Sequence, residues 1–167
     1  MAIGTNDSLK KLSNFSKCGG EWDQNLQKEA RIDRAISQMK RISELTGLSM
    51  FCFDSINGIV LDRTNSQSLP FLPSDVLDEI EKANGLTLIE SANGIIHFVF
   101  PIVDEKNQKI SIAGFVFSKE KQKLTEIVLA AVEREWTSDD LDSWLEKQRI
   151  LDIKSLHALL SLALLHL

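Results

Sequence analysis

Three histidines, two cysteines and several adjacent carboxylates are the side chains here that could hold a metal or carry acid–base or nucleophilic chemistry. Their spacing supports none of these. His97, His157 and His166 share no ligand spacing with one another or with Cys18 and Cys52. No Gly-x-Ser-x-Gly elbow accompanies them, so nothing supports a nucleophilic triad. Asp104-Glu105 and Asp139-Asp140 fall at a turn and at a helix start, where carboxylates solvate and cap rather than act as general acid and base. Gly58, Gly94 and Gly114 lie too far apart for a phosphate-binding loop. No catalytic residue and no metal ligand is assigned.

Candidates for a ligand pocket remain. His97 sits mid-strand among apolar neighbours, as a hydrogen-bonded core histidine or as a polar group lining a pocket. Gly114 lies inside a strand, where glycine marks close approach of a helix or an opening toward a ligand. Arg63, just past a short strand, is placed either to pair with an anionic group over a sheet or to sit in a surface loop. Cys52, flanked by Phe51 and Phe53, reads as a small apolar residue, and Phe100 ends a central strand. Cys52, Arg63, His97, Phe100 and Gly114 form the candidate set, and no cofactor follows from them.

The elements that would position these residues centre on Leu86–Phe117. Three β-rich runs, LTLIE, IIHFVFPI and ISIAGFVF, are joined by Ala92-Asn93-Gly94 and by a polar stretch from Asp104 to Lys109. Asn-Gly supplies the positive φ of a tight hairpin turn, and Asn57-Gly58 repeats the signal between Leu48–Phe53 and Ile59–Leu61. The two later runs are apolar on both alternating faces, so they belong to a sheet covered on both sides, or on one side with a pocket on the other.

Periodicity predicts a helix over 24–46 ended by Gly47, after a polar, flexible arm over 1–23 with a short helix at Ser8–Phe15. A loop is expected over 62–70, then a short helix capped by Ser74 with Val76, Leu77 and Ile80 facing inward. A further helix is expected within Lys121–Trp136, with a strand in Glu126–Val132 as the alternative. Thr137-Ser138-Asp139-Asp140 starts another helix, which continues or breaks near Asp152, itself a cap for Ile153–Leu167. The expected fold is α+β: an antiparallel sheet of five to six strands, a profilin-like sandwich, with helices on one face and long terminal helices.

Composition sets bounds. The 167 residues suffice for one domain that buries roughly 70% of its unfolded surface. A net charge of −5 without a basic block argues against nucleic acid. Two cysteines are too few for a disulfide framework, and no secretory signal precedes the fold, so a reducing cytoplasm is expected. No window reaches the ~18 apolar residues of a membrane span.

The final helical region carries two apolar stripes. One runs Leu141, Trp144, Leu151, Ala158, Leu162, Leu165; the other Ile150, Ile153, Leu156, Leu160, Leu164, Leu167. A helix packed once on its own domain needs one stripe, so Leu141, Trp144, Leu151, Leu156, Leu160 and Leu164 are expected to serve a homodimer or signalling contact, with a helix sandwiched inside its own fold as the alternative. The apolar ending Leu164-Leu165-His166-Leu167 suggests that a further domain follows.

From Ile32 to Leu167 the chain resembles a GAF domain, a cytoplasmic sensor module of signalling proteins. The resemblance rests on the helix leading into Ser49–Phe53 and Ile59–Leu61, on Phe100-Pro101-Ile102 before a polar hairpin, and on Ile112-Ala113-Gly114-Phe115-Val116. It implies a regulatory sensory domain over 24–167 that binds a small molecule or dimerises. Its output domain would be a cyclic-di-GMP phosphodiesterase of HD type, a diguanylate cyclase or a histidine kinase. The family's cyclic-nucleotide signature is absent, and Cys52 is misplaced for bilin attachment. A ligand-free dimerisation scaffold filled by Phe98, Phe100, Phe115 and Phe117 is the alternative, and a reductase depending on Cys52 is a third.

Overall fold

The computed structural model describes the backbone of residues 5–64 and 72–167 and the side chains of 21–64 and 72–167. Among the described residues ten elements follow in order: α1 (Thr5–Thr46), β1 (Phe51–Asp54), β2 (Ile59–Arg63), α2 (Ser74–Lys82), β3 (Thr87–Glu90), β4 (Ile95–Glu105), β5 (Gln108–Phe117), α3 (Thr125–Glu133), α4 (Ser138–Lys147) and α5 (Ile153–Leu165). The chain divides into two compact units, Met1–Arg34 and Ala35–Leu167. In the first unit the helix is already formed at Thr5, well before residue 24, and runs through Gly19-Gly20. Each glycine costs about 1 kcal/mol relative to alanine in a helix interior. Residues 21–30 are all exposed. The expected loop over 62–70 lies mostly outside the described residues.

The second unit is built on one antiparallel sheet of five strands in the order β2-β1-β5-β4-β3. Both Asn-Gly signals mark real turns: Gly58 and Gly94 have φ of 67° and 78°. Asp54 Oδ1 tightens the first by accepting from the backbone N–H of Ile56 and Asn57. The β4–β5 hairpin is the longest pairing, and the polar run joining its strands shrinks to a turn at Lys106-Asn107.

Cross-strand register fixes what each face carries, because directly opposed residues share a face. His97 opposes Phe115, and Val99 opposes Ala113, which opposes Phe51. These belong to the first face. It packs on Val76, Ile80 and Ala83 from α2 and just beyond it, and on α3 and α4 through Ile127, Ala131, Leu141, Trp144 and Leu145. Lys109 Nζ donates to the carbonyls of Glu81 and Ala83, fastening the end of α2 to β5. The second face carries Cys52, Ile112 and Phe100 in one row, with Phe98, Gly114, Ile96 and Val116 beside them. It lies under the buried sides of α1 (Ala35, Met39, Ile42) and α5 (Leu156, Leu160, Ala163). α1 is pinned over β2 by the Lys40–Asp62 ion pair at 3.4 Å, and α5 contacts β3.

Helices therefore cover both faces, not one. The reason is energetic. Ile96, Phe98, Phe100, Ile112 and Val116 are fully buried on the second face, and burying each contributes roughly 1.5–3 kcal/mol that one-sided packing would forgo.

The ends of the helices are set by local chemistry. Pro73 is the N-cap of α2 and Ser74 its first residue, with no side-chain cap. Leu77 is exposed while Val76 and Ile80 face inward. The helix expected within Lys121–Trp136 is α3. Thr137 and Asp140 form a reciprocal capping box on α4. Asp152 caps α5 by accepting from Ser155 N–H at 2.9 Å, so the region breaks into two helices at Gln148–Asp152. At that break Arg149 Nη1 donates to the Thr46 carbonyl at 2.6 Å, and its backbone carbonyl accepts from Phe117 N–H.

Candidate functional site

The five candidate residues do not converge. Cys52, Phe100 and Gly114 belong to the second face, whereas His97 belongs to the first. Arg63 opposes Phe51 at the end of the edge strand β2, three strands away from His97 on β4.

Each position is explained by its surroundings. Cys52 is fully buried, and burial, with a smaller contribution from the nearby Asp62 carboxylate, pushes its thiol up to about 12. It stays protonated at neutral pH and lacks the thiolate that redox or nucleophilic chemistry requires. The side chain of Cys18 lies outside the described residues. His97 is 2% exposed, with its ring 5.8 Å from that of Phe115. Burial lowers it to about 4, opposed only in part by the Asp75 carboxylate, so it is neutral at physiological pH. At Gly114 an added Cβ would lie 2.5 Å from Phe98 Cζ and 2.7 Å from the Ser49 carbonyl oxygen. The close approach that the glycine permits is thus of a phenyl ring and a backbone carbonyl.

Among the described residues, the cavity beside Gly114 on the sheet is small. Lined by Ser49, Met50, Gly114, Trp144 and Gln148, among others, it has a volume of about 10 Å³, room for about one water. Phe98, Phe100, Phe115 and Phe117 are all buried and fill the two faces of the central hairpin. Larger spaces lie at the periphery. In the first unit a groove of about 380 Å³ runs along α1 past Trp22, Leu26 and Ile32. In the second, a groove of about 380 Å³ is lined by Leu88 of β3 and by Ile153, Lys154 and His157 of α5.

The six residues expected to form a dimer or signalling stripe are largely consumed by the fold. Leu141 and Trp144 pack beneath the first face, and Leu156 and Leu160 are fully buried. Leu151 and Leu164 are half-buried. Because α4 and α5 are separate helices, residues read as one continuous stripe point to different places. The outer surface of α5 instead exposes Ala158, Leu162 (59%) and Leu165 (80%).

Sequence reasoning missed the groove beside Leu88. Its signal was the first turn of α5, where Ile153 and His157 fall four residues apart on one helix side. Nothing local in the sequence pairs that turn with β3.

Among the described residues, no group of three or more His, Cys, Asp or Glu side chains is placed to hold a metal ion. No helix among them is long and apolar enough to cross a membrane. Comparison with known proteins finds no matching family model, no similar curated protein and no similar solved structure.

Proposed function

We propose that this chain is a non-enzymatic regulatory module of a cytoplasmic signalling protein, a GAF-like sandwich that acts by holding copies of itself together rather than by taking a ligand into its sheet. One observation carries the reading: phenylalanines fill both faces of the central hairpin, and the cavity beside Gly114 has a volume of only about 10 Å³. A sensor pocket for a drug-sized metabolite occupies roughly 300–1,000 Å³. The protonated Cys52 and neutral, enclosed His97 fit a structural role for both. By analogy with the family it resembles, the module would control an attached output domain such as a cyclic-di-GMP phosphodiesterase, a diguanylate cyclase or a histidine kinase.

Sedimentation velocity together with thermal melting in the presence of small metabolites tests this. The expected result is a dimer whose melting midpoint no metabolite raises. A monomer, or a reproducible stabilisation approaching the 2.7 kcal/mol that about a hundredfold excess over Kd confers, overturns it. The groove of about 380 Å³ beside Leu88 supports a second reading, a sensor that binds its ligand at the sheet edge. Stabilisation abolished by Lys154→Ala would favour that one.

A further inference from the structure

The two edges of the sheet are built differently. An open strand edge presents unpaired backbone N–H and C=O groups, and proteins blunt such edges with charges, bulges, prolines or covering helices. At one edge, β2 has a register shift against β1 between Cys52 and Phe53, carries Asp62 and Arg63, and lies under α1 through the Lys40–Asp62 pair. At the other, the outer stretch of β4 beyond β3 carries Pro101 and a shift between Pro101 and Val103. β3 carries neither a proline nor a register shift; its one charge is Glu90, at its end, and α5 contacts it. Thr87-Leu88-Ile89-Glu90 pairs with β4 in unbroken register, and among the described residues no strand pairs with its other side.

The groove of about 380 Å³ lies against this strand. It is lined by Leu88, Ile153, Lys154 and His157, so it lies between β3 and the first turns of α5. A strand added to β3 would set alternate side chains on the face that carries Leu88, the side of the groove. Its chemistry asks for an apolar residue followed, two positions on, by a carboxylate: Leu88 and Ile153 are apolar, Lys154 is cationic, and the His157 ring can donate. Lys154 makes no ion pair among the described residues, and neither does Glu90. The chain itself carries that pattern in β3, because Leu88 and Glu90 lie two residues apart on the same face.

We propose that the β3 edge is a self-docking surface on which two copies pair β3 to β3 antiparallel about a two-fold axis, each seating its Leu88 and Glu90 at the groove of the other. A two-fold axis normal to the sheet keeps like faces together, so each α5 covers the joint from the same side. Face parity allows the register that sets Leu88 opposite the partner's Glu90, with the axis at Ile89. Glu90 then meets the partner's Lys154 twice over, once in each half. This deepens the reading of the chain as a self-associating module and rests on it.

Sedimentation velocity on the 167-residue chain tests the geometry, with circular dichroism to confirm that each variant folds. Glu90→Lys and Lys154→Glu alter exposed side chains and should each weaken the dimer roughly tenfold or more, since two symmetry-related pairs become repulsive. The double variant Glu90→Lys/Lys154→Glu should return to within about threefold of the wild-type dissociation constant. A dimer that ignores both single changes, or one that they weaken without rescue in the double variant, overturns the β3 joint and leaves self-association standing. Dissociation by Leu162→Glu alone would move the interface to the outer surface of α5 and do the same. A wild-type chain that stays monomeric overturns both.

Discussion

His97 ties the stability of the second unit to pH. Its folded value lies near 4, against 6.5 when unperturbed. Above pH 6.5 the ring is neutral in both states and costs nothing. As pH falls from 6.5 toward 4, the unfolded chain takes up a proton that the folded chain refuses, so folding stability is lost across that window. The loss amounts to about 2 kcal/mol between pH 7 and pH 5. Urea unfolding at the two pH values should show that difference in the wild type and little of it in His97→Leu. Gly114 is constrained by space. Gly114→Ala places a methyl against Phe98 and the Ser49 carbonyl, and should cost about 1–3 kcal/mol in denaturant melts through overpacking. Cys52 should resist thiol reagents in the folded state of a Cys18→Ser chain, reacting only as the fold opens, because its thiol is both buried and protonated. Fast labelling in native buffer would show that the sheet is less closed than its packing indicates.

At the level of elements, α5 has two unequal sides. Leu160→Ala should cost about 2–5 kcal/mol, because the vacated space lies between helix and sheet. Leu165→Ser, on the outer side, should change the melting free energy by less than about 0.5 kcal/mol in a monomeric state. The pattern of leucines cannot rank these residues, since both series repeat at helical spacing. Only the position of the break at Gln148–Asp152 assigns them. That break was legible in part: Asp152 was readable as a cap, yet continuation through it was equally readable. The hairpins were plainer, because positive φ at Gly58 and Gly94 is a local demand that Asn-Gly announces. The start of α1 was not legible. Polar composition and two glycines argue locally for an arm, while the observed helix begins at Thr5.

For the whole molecule, apolar residues on both faces of β4 and β5 fitted a sheet covered on both sides, or one with a pocket on one side, and helices were expected on one face. The α+β fold with a five-stranded antiparallel sheet was legible; the second cover was not. Which helices supply the two covers did not follow, because that depends on where α1 and α5 land rather than on any segment's own pattern. The same limit scattered the candidate site. Cys52, Phe100 and Gly114 share one face and His97 holds the other; alternation within β4 already separates His97 from Phe100, but only register sets Cys52 and Gly114 beside Phe100. The groove beside Leu88 joins segments more than sixty residues apart, beyond the reach of any spacing rule.

Arg149 fastens three distant pieces of the chain at one point. Its guanidinium holds the carbonyl that closes α1, where the helix dipole is negative, and its main chain is stitched to the end of β5 just before α5 begins. The last turn of the first helix and the segment that leads into the last one are therefore joined directly through one side chain. Replacing Arg149 with methionine should cut that mooring. Deuterium should then enter the amides of Gly47 and Leu151 together, sooner than those of the β4–β5 hairpin.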